Sequence, residues 1–320
     1  MSTACVSVKG FENPIPFSKM GKMPHILDLH QAILTGDKEA MRRLVESGID
    51  LGASVRGTTA LSLAVYHGKL DAVVLLTEAD APLDRRSKDH LERIETPLIS
   101  SIRLGHREIF EILVRKGARL DIRDFYNQTP LWFAVKEQRL SFVRVLLDNG
   151  APINYKTATE NPINIAMQFM GYRGRREMAL ELVAAGIPLT CEDYKGHCPL
   201  YYAMKYADFH FFRLLVEAGA PLKKFEWFSL NLIPASWRQN PDIMTWLKSE
   251  VRKPPPLRRQ CRSLIYTHLR RTRNRDVRPL IKTLPEQLPL PSLIVKYLLL
   301  EDPLVVAAQN PPGSLMAQEE

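Results

Sequence analysis

From about His25 onward, apolar and small positions return with a period near 33 residues. A small residue recurs at Ala32, Ala64, Ser101, Ala134, Ala166, Ala203 and Ala235, at spacings of 32, 37, 33, 32, 37 and 32. Twelve residues after it stands a leucine, at Leu44, Leu76, Leu113, Leu146, Leu215 and Leu247. A glycine follows at four (Gly36, Gly68, Gly105) and another at sixteen (Gly48, Gly117, Gly150, Gly219), with Asp80 in the second unit. Each unit therefore predicts two short helices. The first is closed by the nearer glycine, and the second by the farther one in a left-handed cap.

The helix starts are written in the chain as well. Thr96-Pro97-Leu98 and Thr129-Pro130-Leu131 have weaker forms at Thr59-Ala60-Leu61, Asn161-Pro162-Ile163 and Cys198-Pro199-Leu200. A side-chain oxygen there caps an open N–H, and proline fits the first helical position, where its missing N–H costs nothing. Asp124-Phe125-Tyr126-Asn127 and Asp193-Tyr194-Lys195-Gly196 supply turn residues between units. This period, with Thr-Pro-Leu ahead of the small residue, resembles the ankyrin repeat. The resemblance implies a solenoid in which each unit buries its face only against its neighbours.

Two units are longer than the rest. Extra residues around Arg86 to Ile94 lengthen the loop before the third unit. In the fifth, Gly186 lies twenty rather than sixteen residues after Ala166, which puts the insertion between its two helices at residues 171–175. The last unit is degenerate and carries Trp227, Phe228, Trp237 and Trp246, as expected of a unit that caps a stack.

Beyond the break at Lys253-Pro254-Pro255-Pro256 the pattern changes. Leu257, Cys261, Leu264, Ile265 and Leu269 make one apolar stripe on a helix, and Arg258, Arg259, Gln260, Arg262 and Arg270 are expected in solvent between them. Pro-Leu-x-x-x-Cys-x-x-x-Ile at residues 256–265 resembles the elongin-binding box that opens a SOCS box. Leu288-Pro289-Leu290-Pro291, followed by Lys296 and Tyr297-Leu298-Leu299, resembles the cullin box that closes one. The resemblance implies that Leu257, Cys261, Leu264, Ile265 and Leu269 meet elongin C, and that Leu288, Pro289, Leu290 and Pro291 select a cullin-5 class scaffold.

Composition narrows the function classes. Net charge is +9, yet residues 251–282 alone carry +10 and the rest of the chain −1. Such a run suits an acidic partner, but no interleaved aromatics or recognition-helix pattern accompany it, so nucleic acid and membrane are set aside as partners. The cysteines Cys5, Cys191, Cys198 and Cys261 are too sparse for a disulfide framework. With no leader pattern and no uncharged apolar run of membrane-spanning length, the sequence points to the cytoplasm, and to the nucleus as a further site. Cys191, His197 and Cys198 lie close together, but zinc needs four ligands and a nucleophile needs an oriented base. Neither a catalytic site, nor a metal, nor a cofactor is expected.

The sequence thus reads as an all-α chain. An irregular arm occupies residues 1–24, six to seven helix-turn-helix units residues 25–250, a small three-helix module residues 251–300, and a tail residues 301–320. The resemblance implies a substrate-recognition subunit of an elongin B, elongin C and cullin-5 type ubiquitin ligase with its RING partner. Its repeats would hold an unknown protein target. Candidate target contacts on the repeats are Arg56, Arg93, Phe125, Tyr126, Tyr194 and Lys195, with the arginines at 173, 175 and 176 beside them. The competing reading is an ankyrin scaffold whose C-terminal module covers the end of its own stack and recruits no ligase.

Overall fold

The structure, a computed structural model, describes residues 25–88, 93–153, 155, 161–168, 175–193, 195–222, 232–252, 257–273, 278–287 and 292–299. Its helices come in pairs: α1 (Ile26–Thr35) with α2 (Lys38–Glu46), α3 (Ala60–Tyr66) with α4 (Leu70–Glu78), and α5 (Pro97–Leu104) with α6 (Arg107–Arg115). The series continues with α7 (Pro130–Lys136) and α8 (Leu140–Asp148), α9 (Pro162–Gln168) and α10 (Arg175–Ala185), and α11 (Pro199–Lys205) and α12 (Phe209–Glu217). A seventh pair, α13 (Ala235–Arg238) and α14 (Pro241–Arg252), ends the stack. Then come α15 (Leu257–Arg273), α16 (Arg278–Gln287) and α17 (Ser292–Leu298).

The first helices of successive units stack on one another from α1 to α11, and α2, α4 and α6 stack behind them. The small position makes this possible. Ala64, Ser101, Ala134, Ala166 and Ala203 are fully buried in the seam, and the serine that replaces alanine at 101 returns its hydroxyl to the Leu98 carbonyl at 2.7 Å. Leu61, Leu98, Leu131, Ile163 and Leu200, one per unit at the first helical turn, are each at most 1% exposed. Each such side chain contributes about 2 kcal/mol by leaving water. The recurrence fails in the seventh unit, where α13 is a single turn and Ala235 is exposed. Trp237 fills that end instead, edge-on to Phe209 and Phe212, with its indole N–H donating to the Ala207 carbonyl at 3.0 Å.

The expected caps form. Thr59, Thr96 and Thr129 each accept the N–H three residues on, and Asn161 accepts that of Ile163. Cys198 makes no such bond. An all-α description needs one correction. Two antiparallel ribbons, β1 (Ser54–Val55) with β2 (Thr58–Thr59) and β3 (Ser87–Lys88) with β4 (Ile94–Glu95), form fingers at the start of the second and third units. Each ribbon pairs two positions, so the extra residues before the third unit fall in the connection between β3 and β4, of which 89–92 lie outside the described residues. The Thr58 hydroxyl donates to the Lys88 carbonyl at 2.7 Å, which joins the two fingers.

Two apolar cores result. The large one runs the length of the stack, and a small one gathers Tyr266, Ile281, Leu298 and Leu299 among α15, α16 and α17.

Candidate functional site

Two surfaces stand out, one on the fingers and one on α15. The first is a groove of about 480 Å³ between the fingers of the third and fourth units and helices α5 and α7. Phe133 lies at its base, while Ile94, Phe125 and Tyr126 form its rim at 41%, 80% and 75% exposure. Those two aromatics are presented by a pinned turn rather than a loose loop. The Asp124 carboxylate accepts the N–H groups of Tyr126 and Gln128 at 2.9 and 2.7 Å, and Asn127 takes a left-handed φ of 65°. The rings then meet edge to face at 5.5 Å.

One wall of the groove is a buried ion pair. Glu95, 6% exposed, accepts Arg103 Nε and Nη2 at 3.0–3.1 Å and the Ser100 hydroxyl at 3.2 Å. A pair of this kind adds little net stability but fixes geometry, because breaking it leaves a charge in low dielectric. Arg93 joins the same carboxylate at 4.0 Å, and Lys136 lies over the Trp132 ring at 5.0 Å. The groove is therefore an apolar floor with a cation-bearing rim.

Other predicted finger residues scatter. Arg56 sits at the tip of the β1–β2 turn with φ 51°, exposed and away from the groove lining. Lys195 is exposed on a later turn built like that of Asp124, with the Asp193 carboxylate accepting the N–H groups of Lys195 and His197. Burial pushes the Asp193 carboxyl up, but the Tyr202 hydroxyl and these N–H groups outweigh it and hold the pKa below its ordinary value. Tyr194 lies outside the described residues, as do Leu288, Pro289, Leu290 and Pro291 and the arginine side chains at 173 and 175. Arg176 is turned to Asp208 at 2.7 Å, so it braces two units.

The second surface corrects the expectation for α15. Arg259 and Arg262, expected in solvent, are 6% and 1% exposed, whereas Cys261 is exposed and Leu264 is 70% exposed. Ile265 and Leu269 fall between the two faces and pack on the small core. Leu257 opens the helix, and its side chain lies outside the described set. The reason for the inversion is charge. Arg259 Nη2 donates to Glu217 at the end of α12 and Nη1 to Glu250 in α14, both at 2.8 Å. Burial would lower the guanidinium pKa, but the two carboxylates outweigh it and raise it. One turn on, Arg262 Nε donates to the Leu298 carbonyl at 3.2 Å and its guanidinium lies 4.2 Å from the Tyr266 ring centroid. The Tyr266 hydroxyl donates to the same carbonyl at 2.6 Å.

A further bridge ties the module to the stack. Glu181 of α10 accepts Arg144 of α8 at 2.7 Å and Arg278 of α16 at 3.0 Å. Sequence reasoning missed Glu181, Glu217 and Glu250 as partners, since 42 residues separate Glu217 from Arg259 and nothing periodic links them. Among the described residues, burial favours the protonated form of the other two thiols, raising Cys191 to about 12 and Cys198 to about 11. Among the described residues no group of three or more His, Cys, Asp and Glu could hold a metal ion, and no helix is long and apolar enough to cross a membrane.

Comparison with known proteins agrees with this geometry. Residues 29–77 match the family model for ankyrin repeats in many copies, and residues 81–157 the model for ankyrin repeats in three copies. Both segments are ankyrin repeats, a protein-interaction architecture, and neither match is to an enzyme family. Inversin of the dog, Canis lupus familiaris, is 25% identical over 204 residues, covering 62% of this chain and 18% of inversin. Ankyrin repeat and SOCS box protein 11 of the mouse, Mus musculus, is 30% identical over 125 residues, 39% of this chain and 37% of that protein. The chain thus spans well under half of either relative. A crystal structure of an ankyrin repeat domain from Acinetobacter baumannii AYE superposes with a TM-score of 0.54 at 23% identity, covering 60% of this chain and 98% of that one. That likeness establishes the helical solenoid fold.

Proposed function

We propose that this protein is the target-recognition subunit of a ubiquitin ligase: the repeats hold a protein target and the C-terminal module docks on elongin B and elongin C, and through them on a cullin-5 class scaffold. The observation that carries this is the inverted polarity of α15. Two arginines are buried in that helix while Cys261 and Leu264 face outward. A single exposed leucine means little. An apolar face left open while charges are drawn inward suits a helix that a partner covers. Cys261 on that face is one of the residues that carry the resemblance to an elongin-binding box, with Ile265 half-buried against the small core, and the mouse relative bears a SOCS box in its name. A helix serving only to cap its own stack would do the opposite, burying its apolar side chains and solvating its arginines.

In this reading the chain performs no bond chemistry. The RING partner and its conjugating enzyme transfer ubiquitin, and this chain raises the local concentration of target lysines by holding the target in a fixed geometry. The groove rimmed by Phe125, Tyr126 and Ile94 is the target surface, its rigid aromatics acting as anchors at low entropic cost.

Co-expression with elongin B and elongin C tests the first half. The full chain is expected to co-purify with both, and Cys261→Asp with Leu264→Asp to abolish retention without loss of helicity, since both positions are solvent-facing. Retention of the elongins by that double variant, or no retention by the native chain, overturns the proposal.

A further inference from the structure

Helix α15 has two opposite faces, and either one could be turned toward the stack. Arg259, Arg262 and Tyr266 share one face, at intervals of three and four. Cys261 and Leu264 lie roughly half a turn around from them, given 3.6 residues per turn. Ordinary hydrophobic patterning would bury the second face. Yet the ground it would land on is acidic: Glu217 and Glu250 approach Arg259 from two different helices, at side-chain exposures of only 11% and 19%. Apolar side chains set there would strip both carboxylates of a partner, whereas Arg259 satisfies both at once.

We propose that the Glu217–Arg259–Glu250 triad fixes the rotation of α15 about its own axis, and so decides which face of the helix a partner protein meets. Arg259 is a positioning residue in this scheme. It reads the end of the stack, and Cys261 and Leu264 are displayed as a consequence. The downstream half of the helix is held in the same setting by the contacts of Arg262 and Tyr266 with the Leu298 carbonyl and by the small apolar core that Tyr266, Ile265 and Leu269 join. Buried ion pairs are costly per contact, and specifying one arrangement among several is the best attested reason to keep them. What the displayed face is for rests on the function proposed above; the rotational setting itself does not.

The test reads rotation through the Cys261 thiol and requires no partner. In the full chain with Cys5→Ser and Cys191→Ser the one other thiol, Cys198, is buried, so maleimide reports Cys261. Native α15 is expected to label as an open thiol. With Glu217→Gln and Glu250→Gln together, Arg259 is left without a counter-charge and leaves the interface, the helix turns, and labelling slows by about tenfold or more as Cys261 is covered. The charge-inverted triad Glu217→Lys, Arg259→Glu, Glu250→Lys is expected to restore the native rate, and it keeps the test decisive should the glutamine variant not fold. Native or faster labelling of a folded glutamine variant overturns the proposal, as does slow labelling of the inverted one. Failure to capture elongins with native labelling intact would count against the ligase reading alone.

Discussion

The guanidinium of Arg139 occupies the place a side chain on Gly105 would need: a Cβ built there would stand 2.6 Å from Arg139 Nη2. Gly105 also has φ +78°, a left-handed setting that costs any L side chain about 1–2 kcal/mol. Gly117 has φ +89° and nothing within 4 Å. Gly105→Ala is therefore expected to destabilise slightly more than Gly117→Ala in urea titrations, the margin being small because the guanidinium is the far end of a flexible side chain and can swing aside. The excess should vanish in an Arg139→Ala background, because the strain at the backbone is common to both and only the contact differs.

The same turn in other units lacks its glycine. Ala207 and Gln138 hold φ 55° and 57° where Gly36, Gly68 and Gly105 stand in earlier units. Ala207→Gly is expected to raise stability by about 1 kcal/mol, since relief of the left-handed strain exceeds the added freedom of the unfolded chain. Cys198→Thr should add a further ~0.5–1 kcal/mol by supplying the helix cap that Thr96 and Thr129 provide and Cys198 does not. Thermal melts of the two single variants check both values.

Much of this architecture is legible in the sequence because its determinants are local and repeated. Thr129 caps a helix, Gly150 ends one, and Ala134 must be small, each for a reason confined to one unit and its neighbour. The seventh unit breaks the pattern, and there Ala235 misleads: identity and spacing survive, but a helix of one turn leaves it in solvent. The face of α15 misleads for a different reason. A hydrophobic stripe predicts which face is apolar and not which face is inside. Glu217 and Glu250, which turn Arg259 inward, lie on other helices and leave no periodic trace. The groove was half legible: Phe125 and Tyr126 follow from the turn at Asp124, while Ile94 and Phe133 become its neighbours only through the stacking of two units.

Stability should fall in mild acid through His30. This histidine of α1 is 8% exposed, its Nε2 has no hydrogen-bond partner among the described residues, and burial lowers its pKa from 6.5. Between the lowered folded value and 6.5 the unfolded chain binds more protons than the folded one, so stability rises with pH and is lost as pH drops below about 6.5. The slope cannot exceed about 1.4 kcal/mol per pH unit for one group. His30→Gln removes the titration, so its urea midpoint is expected to change less than the native one between pH 7.5 and pH 5.5. An equal drop in both proteins would place the acid sensitivity elsewhere.

Under the proposed function, variants at Phe125 and Tyr126 separate target binding from folding. Their side chains are mostly in water, and the turn beneath them is held by Asp124, so Phe125→Ala and Tyr126→Ala should leave the melting temperature within about 1–2 °C of native. Asp124→Ala is the contrasting variant, because it frees two backbone N–H groups and unpins the turn without touching either ring. If these aromatics are anchors, each ring deletion weakens target retention by about tenfold or more. Asp124→Ala weakens it through lost preorganisation, slowing association as well as hastening release. Retention by the native chain on elongin-loaded resin, compared across the three variants, reads this directly: full retention by both ring deletions would move the target surface off this groove, and loss with Asp124→Ala alone would assign the effect to the turn.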